Sequence, residues 1–288
     1  MSDLPAPRRH RLAVVIGSGG VKCAAALGLR QVLDREGIPI DMFVGCSGGS
    51  LYAATAALGF SHEEARETTL RLWTREVTSR RRRGALLQLL MPKTFGFNER
   101  FGMRDDLMIL ERLRQGFGTK TFADTRTRLY VAATDFRTGE QVVLSEGSIV
   151  DAVRASIAIP FVLSPWPVGD RLLVDGYLSD PLPVNIAMRE GADAILAMGF
   201  ESPMQSRLTS PTRFVFQIST IMTNNLLRSR YAFHSQAHHA EVIAVIPEFR
   251  DRIGVFATEK IPRIIEDGAA ATEAHLPYIR RLMAGEAA

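Results

Sequence analysis

The chain has 288 residues, of which 46% are hydrophobic and 23% charged, and its formal net charge is +4 at pH 7. This composition is typical of a globular protein with a large core and one or at most two domains. The net charge is mild, and no repeat of basic and aromatic residues accompanies it, which argues against a nucleic-acid-binding protein. A weak attraction to anionic surfaces stays open. No apolar run approaches the length of a membrane span.

The N-terminal stretch MSDLPAPRRHR is polar and basic, and only a short apolar strand follows it. A secretory signal needs a longer apolar region, so we expect a cytoplasmic chain with a flexible start over residues 1–10. The two cysteines, Cys23 and Cys46, fit neither a disulfide framework nor a metal-ligand spacing. We expect both thiols to be reduced, and we predict no metal site and no cofactor.

Apolar, β-rich runs alternate with helical patterns along the chain. LAVVIG, AAALGLRQVLDREG, IDMFVG and LYAATAALG predict strand, helix, strand and helix. Later strands are predicted at RLYVAATDF, EQVVLS, RLLVDG, AILAMGF and VIAVIP, separated in part by IVDAVRASIA, NIAMREGA and the long stretch 212–240. This alternation predicts a three-layer α/β/α fold with a mainly parallel central sheet, in one domain over residues 11–288. A basic and apolar insertion is expected at about 75–118.

The stretch VIGSGGVKCAA, residues 15–25, ends the first predicted strand and begins the first helix. Its glycines, Gly17, Gly19 and Gly20, allow close approach of a ligand, and the helix start adds N–H donors. A dinucleotide fingerprint needs glycine where Lys22 stands, and a P-loop needs Gly-Lys-Ser/Thr, so both match poorly. Two alternatives remain: the amides at 19 and 20 form an oxyanion hole, or the stretch is a plain strand-to-helix turn.

The second predicted strand ends in GCSGGSL, where Gly45, Ser47 and Gly49 have the Gly-x-Ser-x-Gly spacing of a nucleophile elbow. In such an elbow a strained turn presents a serine hydroxyl, and small neighbours avoid a clash. The first turn of the next helix would also offer unpaired N–H groups, including that of Gly48, to an oxyanion. A glycine-serine loop without a catalytic role is the alternative.

The stretch RLLVDGYLSDPLPV, residues 171–184, brings a predicted strand to Asp175 and Gly176. A carboxylate at the end of a parallel strand lies at the edge where open α/β sheets bind ligands. Asp175 is therefore a candidate general base, and a simple Asp-Gly turn is the alternative. Asp180, beside Pro181, is the weaker candidate.

These three motifs, in this order and each after a strand, resemble the patatin-like phospholipase family. AATDFRTGEQVVL at 132–144 and VRASIAIPFVLSPW at 153–166 resemble the two intermediate blocks of that family. The similarity covers about residues 11–200 and implies a patatin-like fold. Only the combination of motifs is specific.

The resemblance implies a Ser-Asp dyad in which Ser47 is the nucleophile and Asp175 the general base. It assigns the oxyanion hole to the glycine loop at Gly19 and Gly20. The implied reaction is transfer of an acyl group to water from a glycerophospholipid or another lipid ester, without a metal. Because the base acts directly on the serine, burial would have to raise the pKa of the aspartate.

The chain departs from the family pattern at three places, one of which is Ser18 among the loop glycines. The family's loop has a glycine after its lysine or arginine, whereas Cys23 follows Lys22 here. The Asp-Gly-Gly or Asp-Gly-Ala pattern becomes Asp175-Gly176-Tyr177. We expect these changes to affect substrate fit more than the type of reaction.

Two other functions stay open. An α/β-hydrolase would use the chain order Ser, Asp, His, although most of the downstream histidines lie in a helical pattern without a loop signal. A non-catalytic lipid- or acyl-binding regulator could keep the fold, but the intact serine and aspartate argue against it. The histidines available for a triad are His234, His238, His239 and His275.

The stretch TSRRRRGALLQLLMPKTFGF, residues 78–97, joins four arginines, Arg80–Arg83, to an apolar cluster. Arginines attract an anionic membrane, and apolar side chains can enter its interface, so this stretch is a candidate for peripheral membrane contact. In the alternative interpretation the arginines are solvated and the apolar residues pack on the core. The apolar cluster consists of Leu86, Leu87, Leu89, Leu90 and Met91.

Overall fold

The computed structural model describes residues 9–72, 74, 84–201, 204, 211–237, 240–250, 253–254 and 257–285. Most of the predicted flexible start and all of Arg80–Arg83 lie outside the described residues. Within the described residues, eight strands form one sheet. They are β1 (Leu12–Ile16), β2 (Met42–Cys46), β3 (Arg128–Asp135), β4 (Gln141–Leu144), β5 (Trp166–Val168), β6 (Arg171–Asp175), β7 (Ala194–Met198) and β8 (Glu241–Val245).

The strand order is β5-β6-β3-β2-β1-β7-β8, and β4 pairs with β3 off this path. The pairs from β3 through β2, β1 and β7 to β8 are parallel, whereas β4, β5 and β6 pair antiparallel. The seven predicted strands are confirmed. Sequence analysis does not predict β5, because its three residues are too few to show a period.

The helices of the described residues begin and end close to the predicted patterns where these exist. A short 3-10 helix, Gly20–Ala24, follows β1. The α-helices are α1 (Ala25–Arg35), α2 (Gly48–Ala57), α3 (His62–Leu72), α4 (Ala85–Leu90), α5 (Asp106–Phe117), α6 (Ile149–Ser156), α7 (Val184–Arg189), α8 (Pro211–Ala237) and α9 (Ile261–Met283).

Helices cover both faces of the sheet. Val14 of β1 belongs to a buried cluster with residues of α1, α2 and α9, whereas Val15 packs on the other face with residues of α7 and with Leu227 of α8. All five residues of β1 are buried, as expected for a strand at the centre of a parallel sheet. The predicted three-layer α/β/α fold with a mainly parallel sheet is confirmed.

The segment predicted as an insertion at about 75–118 has two different parts among its described residues. α5 packs into the main core through Ile109 and Leu113. It is also held by the fully buried Arg154, which donates a hydrogen bond to Asp106 at 2.5 Å. By contrast, almost every residue of the preceding segment 84–100 is exposed. Among the helices described, none has both the length and the apolar character needed to cross a bilayer.

Candidate active site

The ends of three strands bring the predicted site residues together. β1 leads into the glycine loop, β2 ends one residue before Ser47, and β6 ends on Asp175. β6 is antiparallel to β3, so the expectation that Asp175 ends a parallel strand is wrong. Asp175 nevertheless lies near the end of β2. β6 pairs only with the last three residues of β3, Ala133–Asp135, and Cys46 pairs with the preceding Ala132.

Ser47 lies in a strained turn between β2 and α2. Its φ of 54° and ψ of −130° are rare for a residue with a side chain. The turn is fixed by its own peptide groups: the Ser47 N–H donates to Ser156 Oγ at 2.8 Å, and Ser50 Oγ donates to the Ser47 carbonyl at 2.6 Å. A strained strand-to-helix turn of this kind is what the Gly-x-Ser-x-Gly spacing predicts. The side chain is not openly exposed, because only 6% of the residue surface is accessible.

The glycines around the serine are required by close contacts between backbone segments. A Cβ on Gly49 would lie 2.3 Å from the Ile16 carbonyl oxygen, and one on Gly48 would lie 2.7 Å from the Gly20 carbonyl oxygen. At Gly45 the nearest atom would be the Cα of Ser50, at 2.5 Å. The elbow therefore packs directly on the end of β1 and on the glycine loop.

Asp175 is completely buried and contacts the serine directly. Ser47 Oγ donates a hydrogen bond to Asp175 Oδ2 at 2.7 Å, and the Tyr177 N–H donates to Oδ1 at 3.0 Å. Burial raises the pKa of Asp175 to about 7, against the lowering effect of these two hydrogen bonds. Gly176 allows the tight turn, since a Cβ there would lie 2.5 Å from the Ala132 carbonyl oxygen.

The glycine loop and the short 3-10 helix after it are held by the end of β7 and the residues that follow it. The Gly17 N–H donates to the Met198 carbonyl at 2.9 Å, and Lys22 Nζ donates to the Glu201 carbonyl at 2.8 Å. Burial lowers the pKa of Lys22. Gly19 lies against Phe200, whose ring would be 2.6 Å from an added Cβ. Within the described part of the chain, no acceptor is assigned to the Gly19 N–H.

Ser47 and the glycine loop line a cleft of about 90 Å³ that opens to solvent. One part of its wall is apolar, with Ile159 and Phe200. Another part carries hydroxyl groups, several of them from α8. The hydroxyl-bearing lining residues are Ser18, Tyr177, Ser219, Thr220 and Thr223.

Asp180 is buried like Asp175, but it faces a different partner. Its Oδ2 lies 3.3 Å from Nε of Arg230 on α8. Burial raises the pKa of Asp180 to about 6, although the charge of Arg230 opposes this shift. The structure thus separates the two carboxylates: one contacts Ser47, and the other joins the segment after β6 to α8.

Among the histidines considered for a triad, only His275 has a described side chain, and it is not a partner of Asp175. His275 lies in α9, and the hydrogen bonds to the Asp175 carboxylate among the described residues come from Ser47 and Tyr177. His234 lies in α8, but its side chain is outside the description, as are His238 and His239 entirely. Sequence analysis also missed Ser156, Arg230 and the hydroxyl face of α8, because no local pattern marks their approach to the site.

A comparison with protein families agrees with this fold and with the order of the motifs. Residues 14–188, more than half of the chain, match the model of the patatin-like phospholipase family. The chain belongs to this family, as the resemblance of its motifs predicts.

Its curated relatives are longer proteins. An uncharacterized NTE family protein of Mycobacterium tuberculosis is 32% identical over 188 residues, which cover 65% of this chain and 48% of that protein. Patatin-like phospholipase domain-containing protein 6 of Mus musculus is 28% identical over 207 residues, covering 70% of this chain and 14% of that protein. The chain spans about half the length of the first of these relatives and less of the second.

Two solved structures have a similar fold. VipD from Legionella pneumophila has a TM-score of 0.51 and 15% identity, covering 98% of this chain and 68% of that one. Human GIVD cytosolic phospholipase A2, in complex with methyl gamma-linolenyl fluorophosphonate, has a TM-score of 0.50 and 12% identity. The match covers 99% of this chain and 60% of that one. At these identities the similarity concerns the fold alone.

Proposed function

We propose that the protein is a serine esterase that hydrolyses carboxylic esters of lipids with a Ser47–Asp175 dyad. The observation that carries the proposal is the 2.7 Å hydrogen bond from Ser47 Oγ to a fully buried Asp175 at the base of an open cleft. A serine hydroxyl is a weak nucleophile until a base takes its proton. A pKa of Asp175 near 7 suits that task, because half of the carboxyl groups are then ionised at neutral pH.

The reaction proceeds in two acyl transfers. Ser47 Oγ bonds to the ester carbonyl carbon while Asp175 takes the hydroxyl proton, and the carbonyl oxygen becomes an oxyanion. When the intermediate collapses, the bond to the leaving alcohol breaks and Asp175 returns the proton to that oxygen. Water then attacks the acyl-serine with Asp175 as base, and the carboxylic acid and free serine are released.

The oxyanion is assigned to the amides of Gly19 and Gly20, with the Gly48 amide at the start of α2 beside them. The proposal is supported by the contact between the elbow and the loop, because the Gly48 position lies against Gly20. Backbone N–H groups that are already oriented stabilise developing charge without reorganisation. The positive φ of 58° at Gly20 lies in a region of backbone conformation that favours glycine.

The substrate class follows from the family and from the cleft. The family's name is that of phospholipases, and the described lining combines apolar and hydroxyl groups without a charged side chain. Such a wall fits an ester between an acyl chain and a polar backbone, as in a glycerophospholipid. We treat residues 11–288 as one patatin-like domain that carries this activity.

Peripheral membrane contact of the 84–97 segment is part of this proposal. Leu86 is 65% exposed and Leu90 is 69% exposed, so these leucines do not pack on the core as the alternative interpretation requires. Through ring contacts of Phe101 with Phe97 and Phe161, the segment continues to the loop that carries Ile159 in the cleft wall. The end of the segment at Phe97 therefore lies near the loop that carries Ile159.

Labelling with a fluorophosphonate probe followed by peptide mapping tests the proposal. We expect one adduct, on Ser47, and loss of both labelling and ester hydrolysis in Ser47→Ala, with hydrolysis reduced about a thousandfold or more. The control Ser145→Ala removes an exposed hydroxyl from another loop and leaves both unchanged. An adduct on another residue, or full activity of Ser47→Ala, contradicts the assignment. A folded protein that binds lipid without labelling supports the non-catalytic regulator instead.

A further inference from the structure

Tyr177 lies between the cleft and the buried core of the protein. Its side chain lines the cleft that contains Ser47. It also packs against the apolar cluster on one face of the sheet, to which Leu182, Val184 and Leu227 belong. A side chain with the cleft on one side and an apolar cluster on the other separates the two. The ring of Tyr177 therefore closes the cleft on this side.

Tyr177 is held in position through both its backbone and its side chain. Its N–H donates to Asp175 Oδ1 at 3.0 Å, and its hydroxyl group forms a hydrogen bond with the side chain of Ser219 on α8. Burial and the negative charge of Asp175 raise the pKa of the phenol, so the ring stays uncharged at neutral pH. Tyr177 is therefore an uncharged part of the cleft wall with a defined position.

The helix that faces Tyr177 is attached to the same short segment of chain. Spacings of four and seven residues place Ser219, Thr223 and Arg230 on one side of α8. Ser219 and Thr223 line the cleft, and Arg230 pairs at 3.3 Å with Asp180, three residues after Tyr177. A shift of α8 away from Tyr177 would break this pair and leave a buried charge without its partner, which is costly. The ring and the helix therefore form a wall that resists opening.

The space that the ring of Tyr177 fills is bordered by apolar side chains. The cluster behind the ring contains aliphatic residues such as Val184 and Leu227. When a large side chain in such surroundings is truncated, the structure relaxes only in part and a cavity remains. Apolar cavities stay free of water and bind hydrocarbon groups. In a lipid ester, the group that such a space accepts is the acyl chain and not the polar alcohol part.

We propose that Tyr177 limits the length of the acyl chain that the cleft accepts. The proposal rests on the proposed hydrolysis of lipid esters and names the group of the substrate that faces this wall. The acyl chain of an ester bound at Ser47 extends from the carbonyl carbon toward the ring, and a chain that reaches the ring gains no further apolar contact. Tyr177 also gives a structural reason to expect that the departure from the family pattern at this position affects substrate fit.

A series of soluble p-nitrophenyl esters tests the limit, from acetate through butanoate and hexanoate to octanoate, each below the concentration at which it aggregates. Tyr177→Ala removes the ring and keeps the backbone N–H that contacts Asp175. Tyr177→Phe keeps the ring and removes only the hydroxyl group. Leu178→Ala is the matched control, because it truncates the next residue, which is 42% exposed and is not among the lining residues.

We expect the ratio of kcat/KM for octanoate to kcat/KM for butanoate to be about tenfold larger in Tyr177→Ala than in the wild type. Each methylene group that gains an apolar contact contributes about fourfold, which corresponds to about 0.8 kcal/mol. Tyr177→Phe and Leu178→Ala should keep the ratio of the wild type. Butanoate esters of alcohols of increasing length should show no such change in Tyr177→Ala.

Circular dichroism and the melting temperature check that the variants fold. Tyr177→Leu is a milder truncation that should give an intermediate ratio, and it serves if Tyr177→Ala does not fold. An unchanged ratio in a folded truncation variant overturns the proposal. An equal change in Leu178→Ala, or a change that appears only in the alcohol series, overturns it as well.

Equilibrium binding of the same esters to Ser47→Ala separates this proposal from the esterase. If the wild type hydrolyses none of the esters, the esterase proposal fails. Tighter binding of the octanoate ester to Ser47→Ala/Tyr177→Ala than to Ser47→Ala then retains Tyr177 as the limit of an acyl-binding site, whereas equal binding rejects it too. If the wild type hydrolyses the esters and truncation of Tyr177 leaves the ratio unchanged, only the role of Tyr177 is rejected.

Discussion

Asp175 and Asp180 stand at the two ends of one short segment after β6, and both are buried. Burial raises the pKa of each, to about 7 and about 6 respectively. They differ in their partners, because Asp175 accepts a hydrogen bond from a hydroxyl group and Asp180 faces a guanidinium. Burial alone therefore does not identify a general base. A general base needs a proton to take. Among the described contacts, the Asp175 carboxylate accepts a hydrogen bond from a hydroxyl group, whereas the Asp180 carboxylate accepts one from the Leu182 N–H and faces Arg230.

The largest expected difference between these two carboxylates is in turnover. Asp175→Asn removes the base and is expected to lower kcat for a soluble short-chain ester by about a hundredfold to ten-thousandfold. Asp180→Asn breaks the pair with Arg230 but leaves Asp175 beside Ser47, so it is expected to lower kcat by less than about tenfold. Steady-state kinetics of both variants measure this contrast. Equal losses would show that the segment acts as one structural unit and that the contrast in roles is wrong.

A second difference concerns stability. In the unfolded chain Asp175 has its ordinary pKa near 3.8, whereas in the native state the pKa is about 7. Between these values the native state binds more protons than the unfolded state, so the free energy of unfolding falls as pH rises. Above about pH 7 the free energy of unfolding stays lowered by the full amount, which is about 1.4 kcal/mol for each unit of difference between the two pKa values.

Asp175→Asn should therefore be more stable than the wild type at about pH 8, by up to a few kcal/mol. The neutral amide does not carry the buried charge that destabilises the native state. Urea denaturation at about pH 8 and about pH 4 measures the difference, which should shrink at the acidic value. A difference that does not change with pH would mean that buried charge at Asp175 is not its cause.

A smaller effect is expected at the arginines that precede the 84–97 segment. Each basic residue near an anionic membrane contributes about 1 kcal/mol at low salt. Replacing Arg80 through Arg83 with glutamine should reduce sedimentation with anionic vesicles and make it less dependent on salt, while hydrolysis of a soluble ester persists. Unchanged vesicle binding would remove these arginines from the membrane-contacting surface.

The smallest effect is expected at the histidines. Separate alanine substitutions at His234, His238, His239 and His275 should leave kcat for a soluble ester within about threefold, because in the proposed dyad Asp175 acts on Ser47 without an intermediate base. Loss of turnover in one of these variants, with the fold intact, would instead support a Ser-Asp-His triad.

Local sequence patterns predict the strands, the elbow and the glycine loop, because hydrophobic runs and glycine spacings act over a few residues. They do not predict that β6 is antiparallel, since strand direction depends on the connection through α6 and β5. The family resemblance predicts the approach of Asp175 to Ser47. The separate argument from the end of a parallel strand is corrected by the structure, because β6 is antiparallel to β3.

Contacts between residues that are far apart in the chain are also not predicted by local sequence patterns. Ser156 fixes the Ser47 peptide from 109 residues away, and Arg230 reaches Asp180 from the long helix α8. Neither residue belongs to a motif. The exposure of Leu86 and Leu90 likewise depends on how α4 leaves the core, which hydropathy alone does not decide.

The pH dependence of fluorophosphonate labelling at Ser47 tests the dyad most directly, because it reports on the nucleophile without product release or membrane binding. We predict that the labelling rate constant of the wild type rises with pH through a single transition with a midpoint near 7, the pKa of Asp175. In Asp175→Asn the rate constant should be about a hundredfold lower and lack this transition. Equal rate constants for the two proteins, or a transition that persists in Asp175→Asn, would contradict the account.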